Sequence, residues 1–357
     1  MNGQRATWYA KTLIRNILKY KIELAAKLSG KIFACGVLQG TSTYNLAINS
    51  DMTVSCNCQD FDGSGKLGDL SCNNLEEILS GEKANTFRKT LATGKLPILN
   101  CARCVELKKI PREQAADVVN FAKVSNKNIM VENTILCGCN CLSCARKQVM
   151  SNRKKLALTI EDITCVATEI KKHNIKSVAY FNLGDPFISP NILQEIKIIK
   201  KHNPNIFIST STNGLYLDSA SKFEAALMID DLIVSIDGVD TKMVRKYQQN
   251  GSFEQSFNNM CALAKYRDER NLKKPCIVWN YVLFNWNDKP AYINEAIRLA
   301  RIANIDRLSI CHTKTPFWGI SWRWYTNRFF RSKTQNQPVQ YIHFDLKSSD
   351  KAAQATT

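Results

Sequence analysis

From about residue 128 to residue 313 the chain alternates between short apolar runs and amphipathic helix patterns, and no other feature narrows its possible folds as much. A strand begins near 128. The next are Ser177-Val-Ala-Tyr-Phe181, Asn205-Ile-Phe-Ile-Ser209, Leu232-Ile-Val-Ser-Ile236, the run Ile277 to Phe284, and Arg307-Leu-Ser-Ile-Cys311. Between them lie helix patterns. Thr159 and Asp162 form a capping box ahead of Ile160, Ile163, Val166 and Ile170. Ser189-Pro190 opens a helix with Ile192, Ile196 and Ile199 inward. A helix near 219–229, one marked by Phe253, Phe257, Met260 and Ala264, and one marked by Ile293, Ile297 and Ala300 complete the set. A helix between each pair of strands implies parallel strands joined by right-handed crossovers. The expected class is α/β, a partial (β/α)6 TIM-like barrel, with a doubly wound open sheet as the alternative.

The strand ends are unusual. The first runs into a loop with four cysteines in eight residues, of which Cys137, Cys141 and Cys144 are spaced C-x3-C-x2-C and Cys139 lies between. The others end in Asn182-Leu-Gly184-Asp185-Pro186, Ser211-Thr-Asn213-Gly214, Ser235-Ile-Asp237-Gly238, Asn285-Trp-Asn287-Asp288 and Cys311-His312-Thr313. One such loop is an ordinary turn. Six at the strand ends of a parallel β/α fold mark an active site. Three thiolates on one loop suit an Fe–S cube with one iron left open; structural zinc is the rival on spacing alone.

A second cysteine-bearing region precedes the barrel. Cys35 opens it, a strand from Tyr44 to Asp51 turns into a return strand with Cys56 and Cys58, and Cys101-Ala-Arg-Cys104 closes it. Leu75 to Leu79 and Thr86 to Leu91 read as helical turns. Asp60 to Gly68 is glycine-rich but lacks the Gly-Lys-Ser/Thr ending of a phosphate loop. Of fourteen cysteines, eight fall in three clusters, Cys56 with Cys58, Cys101 with Cys104 and the four of the loop, which points to metal ligation in a reducing compartment, while Cys165, Cys261 and Cys276 fall in core patterns. The expected organisation is an N-terminal amphipathic helix over 1–30, a small cysteine-rich α+β domain over 31–120, the barrel over 121–320, and a C-terminal cap and tail over 321–357.

The barrel motifs resemble those of the radical S-adenosylmethionine (radical SAM) enzymes. Cys137, Cys141 and Cys144 match that family's cysteine motif. Leu183-Gly-Asp-Pro186 looks like its Gly-Gly-Glu-Pro motif, with Leu for the first Gly and Asp for Glu. Thr212-Asn-Gly214 and Ser235-Ile-Asp-Gly238 resemble its third- and fourth-strand motifs. Ser143 stands where the family usually has an aromatic residue. The region from Cys35 to Cys104 resembles a SPASM or twitch domain, displaced here to the N-terminal side. The resemblance implies an S-adenosylmethionine-binding 4Fe–4S cluster on Cys137, Cys141 and Cys144, with Cys139 a bystander. It also implies one auxiliary 4Fe–4S cluster drawn from Cys35, Cys56 or Cys58, Cys101 and Cys104, Cys72 being a weaker candidate. It implies cofactor contacts from Gly184, Asp185, Pro186, Asn213, Gly214, Ser235 and Asp237. In this reading Gly184 admits close backbone approach, Asp185 accepts from the cofactor's ammonium, Asn213 and Ser235 contact ribose or carboxylate, and Asp237 can instead cap its loop. Tyr281, Asp288 and His312 are the substrate-facing catalytic candidates, beside Cys139.

The implied activity is reductive cleavage of S-adenosylmethionine and hydrogen abstraction from a small molecule, glycan or peptide, a net oxidation or other modification assisted by the auxiliary cluster. Flavodoxin or ferredoxin would supply electrons. The net charge of +18 favours an acidic substrate or partner, so an RNA-modifying enzyme and a zinc-stabilised nucleic-acid-binding protein are the alternatives. The basic residues are scattered, which weakens both. With no apolar run long enough to span a bilayer and no secretion signal, a cytoplasmic enzyme is expected. Leu13, Ile17, Tyr20, Leu24 and Leu28 form one apolar face of the first helix, which either packs on the protein body or lies on an anionic membrane. Trp318 to Arg331 interleaves arginine with aromatics and reads as a cap over the barrel rather than a base-stacking surface. Val339 to Phe344 reads as an edge strand.

Overall fold

The computed structural model describes residues 3–43, 46–56, 58, 60, 62–326 and 341–346, with side chains from residue 12 onward except at 341 and 345. Tyr44, Arg328, Phe329, Phe330, Arg331 and Val339, which figure in the sequence expectations, lie outside the described residues or their described side chains. The strands, in chain order, are β1 (Lys31–Cys35), β2 (Ala47–Ile48), β3 (Thr53–Ser55), β4 (Lys66–Asp69), β5 (Leu107–Pro111), β6 (Asn128–Val131), β7 (Asn140–Cys141), β8 (Ser177–Ala179), β9 (Phe207–Thr212), β10 (Asp231–Ser235), β11 (Gln248–Gln249), β12 (Cys276–Leu283), β13 (Arg307–His312) and β14 (Tyr341–Asp345). The chain divides into two compact units. One comprises Met1–Ile135, Ala145–Gly184 and Ile198–Phe207; the other comprises Leu136–Cys144, Asp185–Lys197 and Ile208–Thr357.

In the first unit β6 lies parallel to both β8 and β2, and β2, β3 and β4 continue as an antiparallel meander. The cysteine-rich segment thus contributes three strands to the sheet that carries β6. A separate antiparallel pair, β1 with β5, sets Cys35 opposite Leu107. The capping box expected at Thr159 forms: Asp162 N–H donates to Thr159 Oγ1, and the Asp162 carboxylate accepts from Thr159 N–H at 2.6 Å. The helix Ile160–Lys172 that follows buries Ile163, Val166, Ala167 and Ile170. At about 1.5–3 kcal/mol per fully buried aliphatic side chain, this face outweighs the cap, which contributes about 1 kcal/mol.

The second unit holds β9, β10, β12 and β13 in parallel register, closed at one edge by β14 antiparallel to β13. The strands expected by periodicity therefore appear, and in each unit they stand in a mixed sheet because β3, β4 and β14 run against their neighbours. The expected edge strand near 339–344 is β14. Helices Ala220–Leu227, Phe253–Asp268 and Pro290–Ile302 connect the parallel strands. The buried guanidinium of Arg267 ties the last turns together, donating to Asp268, to Pro275 O and to Asp306. No described helix is long and apolar enough to cross a membrane.

Candidate active site

The cysteine loop is held at both flanks by backbone pairing. Leu136 O accepts from Asp185 N–H at 2.8 Å, which fixes the entry. On the exit side β7 pairs antiparallel with β11, setting Cys141 opposite Gln248 and Asn140 opposite Gln249, and Leu142 N–H donates to Tyr247 O. Gly138 is needed because a Cβ there would stand 2.6 Å from the Tyr216 ring. Cys137, Cys139, Cys141 and Cys144 then share one neighbourhood. The Cys139 thiol is pushed strongly upward by its hydrogen bond with Cys137, by burial and by the neighbouring Cys141 and Cys137. The Cys141 thiol is raised by burial and by Cys144, Asp237 and Cys137. Burial also raises the Tyr247 phenol, which faces Cys141, Asp237 and Cys144.

Around this loop the strand-end motifs form a connected network. Asp185 is almost fully buried, and its carboxylate accepts from Thr212 Oγ1, from Asn213 N–H at 2.8 Å and from Phe187 N–H at 3.1 Å. Through these donors Asp185 positions the Thr212–Asn213 turn. Asn213 Nδ2 lies 3.4 Å from Cys137 Sγ, and its Oδ1 accepts from Leu215 N–H. Gly214 takes a left-handed φ of 79°, which completes the turn. Pro186 begins a short 3-10 turn that Asp185 caps. Gln248 joins two further motifs: it accepts from Asp237 N–H and donates to Ser235 O. The Ser235 hydroxyl lies 3.5 Å from that of Ser211. Asp237 accepts from Val282 N–H, and burial pushes its carboxyl up to about 7.

Two of the three catalytic candidates are engaged elsewhere. Tyr281 is fully buried and its hydroxyl donates to Asn287 O at 2.9 Å. Asp288 is buried between the Ser321 hydroxyl at 2.7 Å and Arg323 Nη1 at 2.8 Å. Both hold the segment after β12 in place. His312 is different. Its ring stacks on Trp324 at 4.7 Å and meets Tyr325 edge-on, while Nδ1 has no hydrogen-bond partner among the described residues. Burial and Lys314 lower its pKa, which favours the neutral ring. Trp324 is buried, whereas Phe317, Trp318 and Trp322 are exposed.

In the first unit Gly184 lies against the segment after β6, where a Cβ would come within 1.9 Å of Thr134 O. Nearby Glu132 is completely buried. It accepts from Ser50 N–H and Leu183 N–H and pairs with Arg153 at 3.3 Å. Neither Glu132 nor the Gln248–Gln249 ribbon was read from the sequence. A carboxylate directly after an apolar strand was a usable signal for the former; a two-residue strand leaves none.

The same unit gathers the earlier cysteines. Cys56 lies in the electrostatic reach of Cys35, Cys101, Asp60 and Cys104. Burial pushes Cys35 up to about 12 and Cys101 up to about 11, and it raises Cys104 as well. Backbone N–H groups of Leu38 and Val37 face the Cys35 sulfur, and those of Glu106 and Leu107 face Cys104. Cys58 packs against the apolar cluster of Ala47, Met130 and Ala179, and Cys72 is exposed. Among the described residues, no three side chains of either cysteine group already meet at one coordination point.

Residues 134–291 match the model of the Radical SAM superfamily, so this segment is a radical SAM domain. The domain implies a 4Fe–4S cluster and S-adenosylmethionine. The FeMo cofactor biosynthesis protein NifB of Methanocaldococcus jannaschii is 28% identical over 118 residues, and the match takes in 31% of this chain and 39% of that protein. The chain thus spans well under half the length of this relative. Among solved structures, methylornithine synthase (PylB) is 18% identical at a TM-score of 0.39, covering 54% of this chain and 56% of that one. Coproporphyrinogen III oxidase (HemN) from Escherichia coli is 14% identical at a TM-score of 0.37, covering 61% and 54%.

Proposed function

We propose that the protein is a radical SAM enzyme whose Cys137, Cys141 and Cys144 hold the cluster that binds S-adenosylmethionine, and that it modifies a substrate with help from a second 4Fe–4S cluster. The carrying observation is the C-x3-C-x2-C loop inside the matched domain, pinned by Asp185, Asn213 and the β7–β11 ribbon. The donor chemistry fits. Buried thiols that raise one another's pKa cannot ionise together in the protein alone, and a bound cationic metal is what draws them out as thiolates. When bound, the cluster and S-adenosylmethionine supply one-electron cleavage to a 5′-deoxyadenosyl radical that takes hydrogen from the substrate. The chain's own residues do the positioning. Asn213 directs an amide N–H at the Cys137 sulfur, Asp185 fixes that turn, and Ser235 and Asp237 present polar groups at the end of β10. His312 offers a neutral ring nitrogen toward substrate.

For the auxiliary cluster the ligand set supported best is Cys35, Cys56, Cys101 and Cys104. Their mutual electrostatics and the backbone N–H groups aimed at Cys35 and Cys104 suit thiolates. Cys58 is left out by its packing, and Cys139 remains a bystander. The reading carries with it the partial (β/α)6 barrel, a SPASM-like role for the N-terminal cysteine segment, net oxidation of a small molecule, glycan or peptide, a flavodoxin or ferredoxin donor, and a cytoplasmic setting. The charge of +18 favours an RNA substrate as the second reading; retention on RNA that collapses with salt would select it.

Anaerobic reconstitution tests the two-cluster assignment. Wild type should bind about eight irons per chain, and Cys101→Ser with Cys104→Ser should lose about half. Retention of zinc in a colourless protein would overturn the proposal.

A further inference from the structure

From residue 12 the N-terminal helix, Gly3–Leu28, carries apolar side chains on two sides. The side toward the protein holds Leu18, Ile22 and the fully buried Ala26 beside polar anchors: Arg15 Nη1 donates to Asn100 Oδ1 at 2.7 Å, Lys19 Nζ donates to Leu96 O at 2.7 Å, and the Glu23 carboxylate accepts from Leu96 N–H at 2.8 Å. A second apolar row faces solvent. Leu13, Ile17, Tyr20, Leu24 and Leu28 recur at helical steps along one face and all are exposed, Tyr20 at 67% and Leu28 at 80%, with Ile14 exposed beside them. From residue 12 to residue 28 this stripe extends about 25 Å. Soluble monomers seldom leave so continuous an apolar row uncovered.

The charges around the stripe say what covers it. From residue 12 the helix carries Arg15, Lys19, Lys21 and Lys27 against a single carboxylate, Glu23, and that carboxylate is turned inward. Lys21 and Lys27 are exposed along the apolar row. A second copy laid on this face would add cations to cations with no outward carboxylate opposite. We propose that the helix lies flat on an anionic lipid bilayer, its leucine, isoleucine and tyrosine side chains entering the headgroup boundary and its lysines meeting lipid phosphates. The helix does not cross the bilayer; it seats the body, through Asn100 and Leu96, on the membrane surface. The inference is independent of what the cysteines bind.

Vesicle flotation of the full chain tests it, with phosphatidylcholine vesicles compared to vesicles containing one-third phosphatidylglycerol. Binding should be confined to the anionic vesicles and should fall as salt is raised. Ile17→Ser with Leu24→Ser should abolish it, and Lys21→Glu with Lys27→Glu should weaken it by roughly tenfold or more, both at an unchanged melting temperature because all four side chains are exposed. Equal binding to both vesicle types, absence of binding to either, or a wild-type dimer in light scattering that Ile17→Ser with Leu24→Ser converts to monomer without any vesicle binding would each overturn the proposal.

Discussion

Cys139 sits between ligand-spaced cysteines, buried and hydrogen-bonded to Cys137, so the division of labour within the loop is testable one residue at a time. Cys139→Ser keeps the small polar side chain and should retain the S-adenosylmethionine-cleaving cluster, whereas Cys141→Ser should lose it. Iron content and 5′-deoxyadenosine yield after reduction check this, and equal loss in both would sink the assignment. Gly184 is the second residue whose role follows from geometry. A methyl group there would stand 1.9 Å from Thr134 O, a backbone atom that cannot swing aside. Gly184→Ala should therefore displace the strand-end loop, cost about 1–3 kcal/mol or more, and lower S-adenosylmethionine affinity, as denaturant titration and equilibrium binding would show. The sequence made Gly184 and Asp185 conspicuous, one for close backbone approach and the other as an acceptor, without showing what either touches within the protein. Only the hydrogen bonds from Phe187, Thr212 and Asn213 reveal that Asp185 holds the turn. For Tyr281 and Asp288 likewise, position at a strand end is visible in sequence, whereas the hydrogen bonds to Asn287 O or with Ser321 and Arg323 are not.

Among the elements, the regular ones were legible because their stabilisation is local and periodic. The helix Ile160–Lys172 announces itself through Thr159, Asp162 and its apolar face. β9 and β10 differ from the sequence reading by one to three residues at their ends, where hydrogen bonding to the neighbour, not side-chain pattern, decides termination. What stayed hidden were elements made by long-range pairing. The β7–β11 ribbon has two residues on each side, so no periodicity can mark it. Glu132 belongs to this class too, since it joins Ser50, Leu183 and Arg153 from three separate segments. Glu132→Ala should strand a buried guanidinium and leave two backbone donors unpaired, at a cost of about 3–5 kcal/mol. A fall in the denaturation midpoint of that size is the expected reading; a change below about 1 kcal/mol would mean that water replaces the carboxylate.

For the whole molecule, the proposed chemistry rests on two cysteine groups. The C-x3-C-x2-C loop lies within the radical SAM domain at residues 134–291, while Cys35, Cys56, Cys101 and Cys104 lie outside it. The choice between Cys56 and Cys58 could not come from spacing, because the two are separated by one residue and a hairpin can present either. Cys56 is the one proposed because it shares the electrostatic surroundings of Cys35, Cys101 and Cys104, while Cys58 packs beside the apolar cluster of Ala47, Met130 and Ala179. Substrate identity leaves no comparable trace in the chain, so the central claim is best tested on the cofactor itself. The reconstituted enzyme, reduced anaerobically with S-adenosylmethionine, should yield 5′-deoxyadenosine and methionine, and the triple variant Cys137→Ala, Cys141→Ala, Cys144→Ala should yield neither. Wild-type protein that carries its full iron complement yet forms no 5′-deoxyadenosine, or a triple variant that forms as much as wild type, would contradict the account.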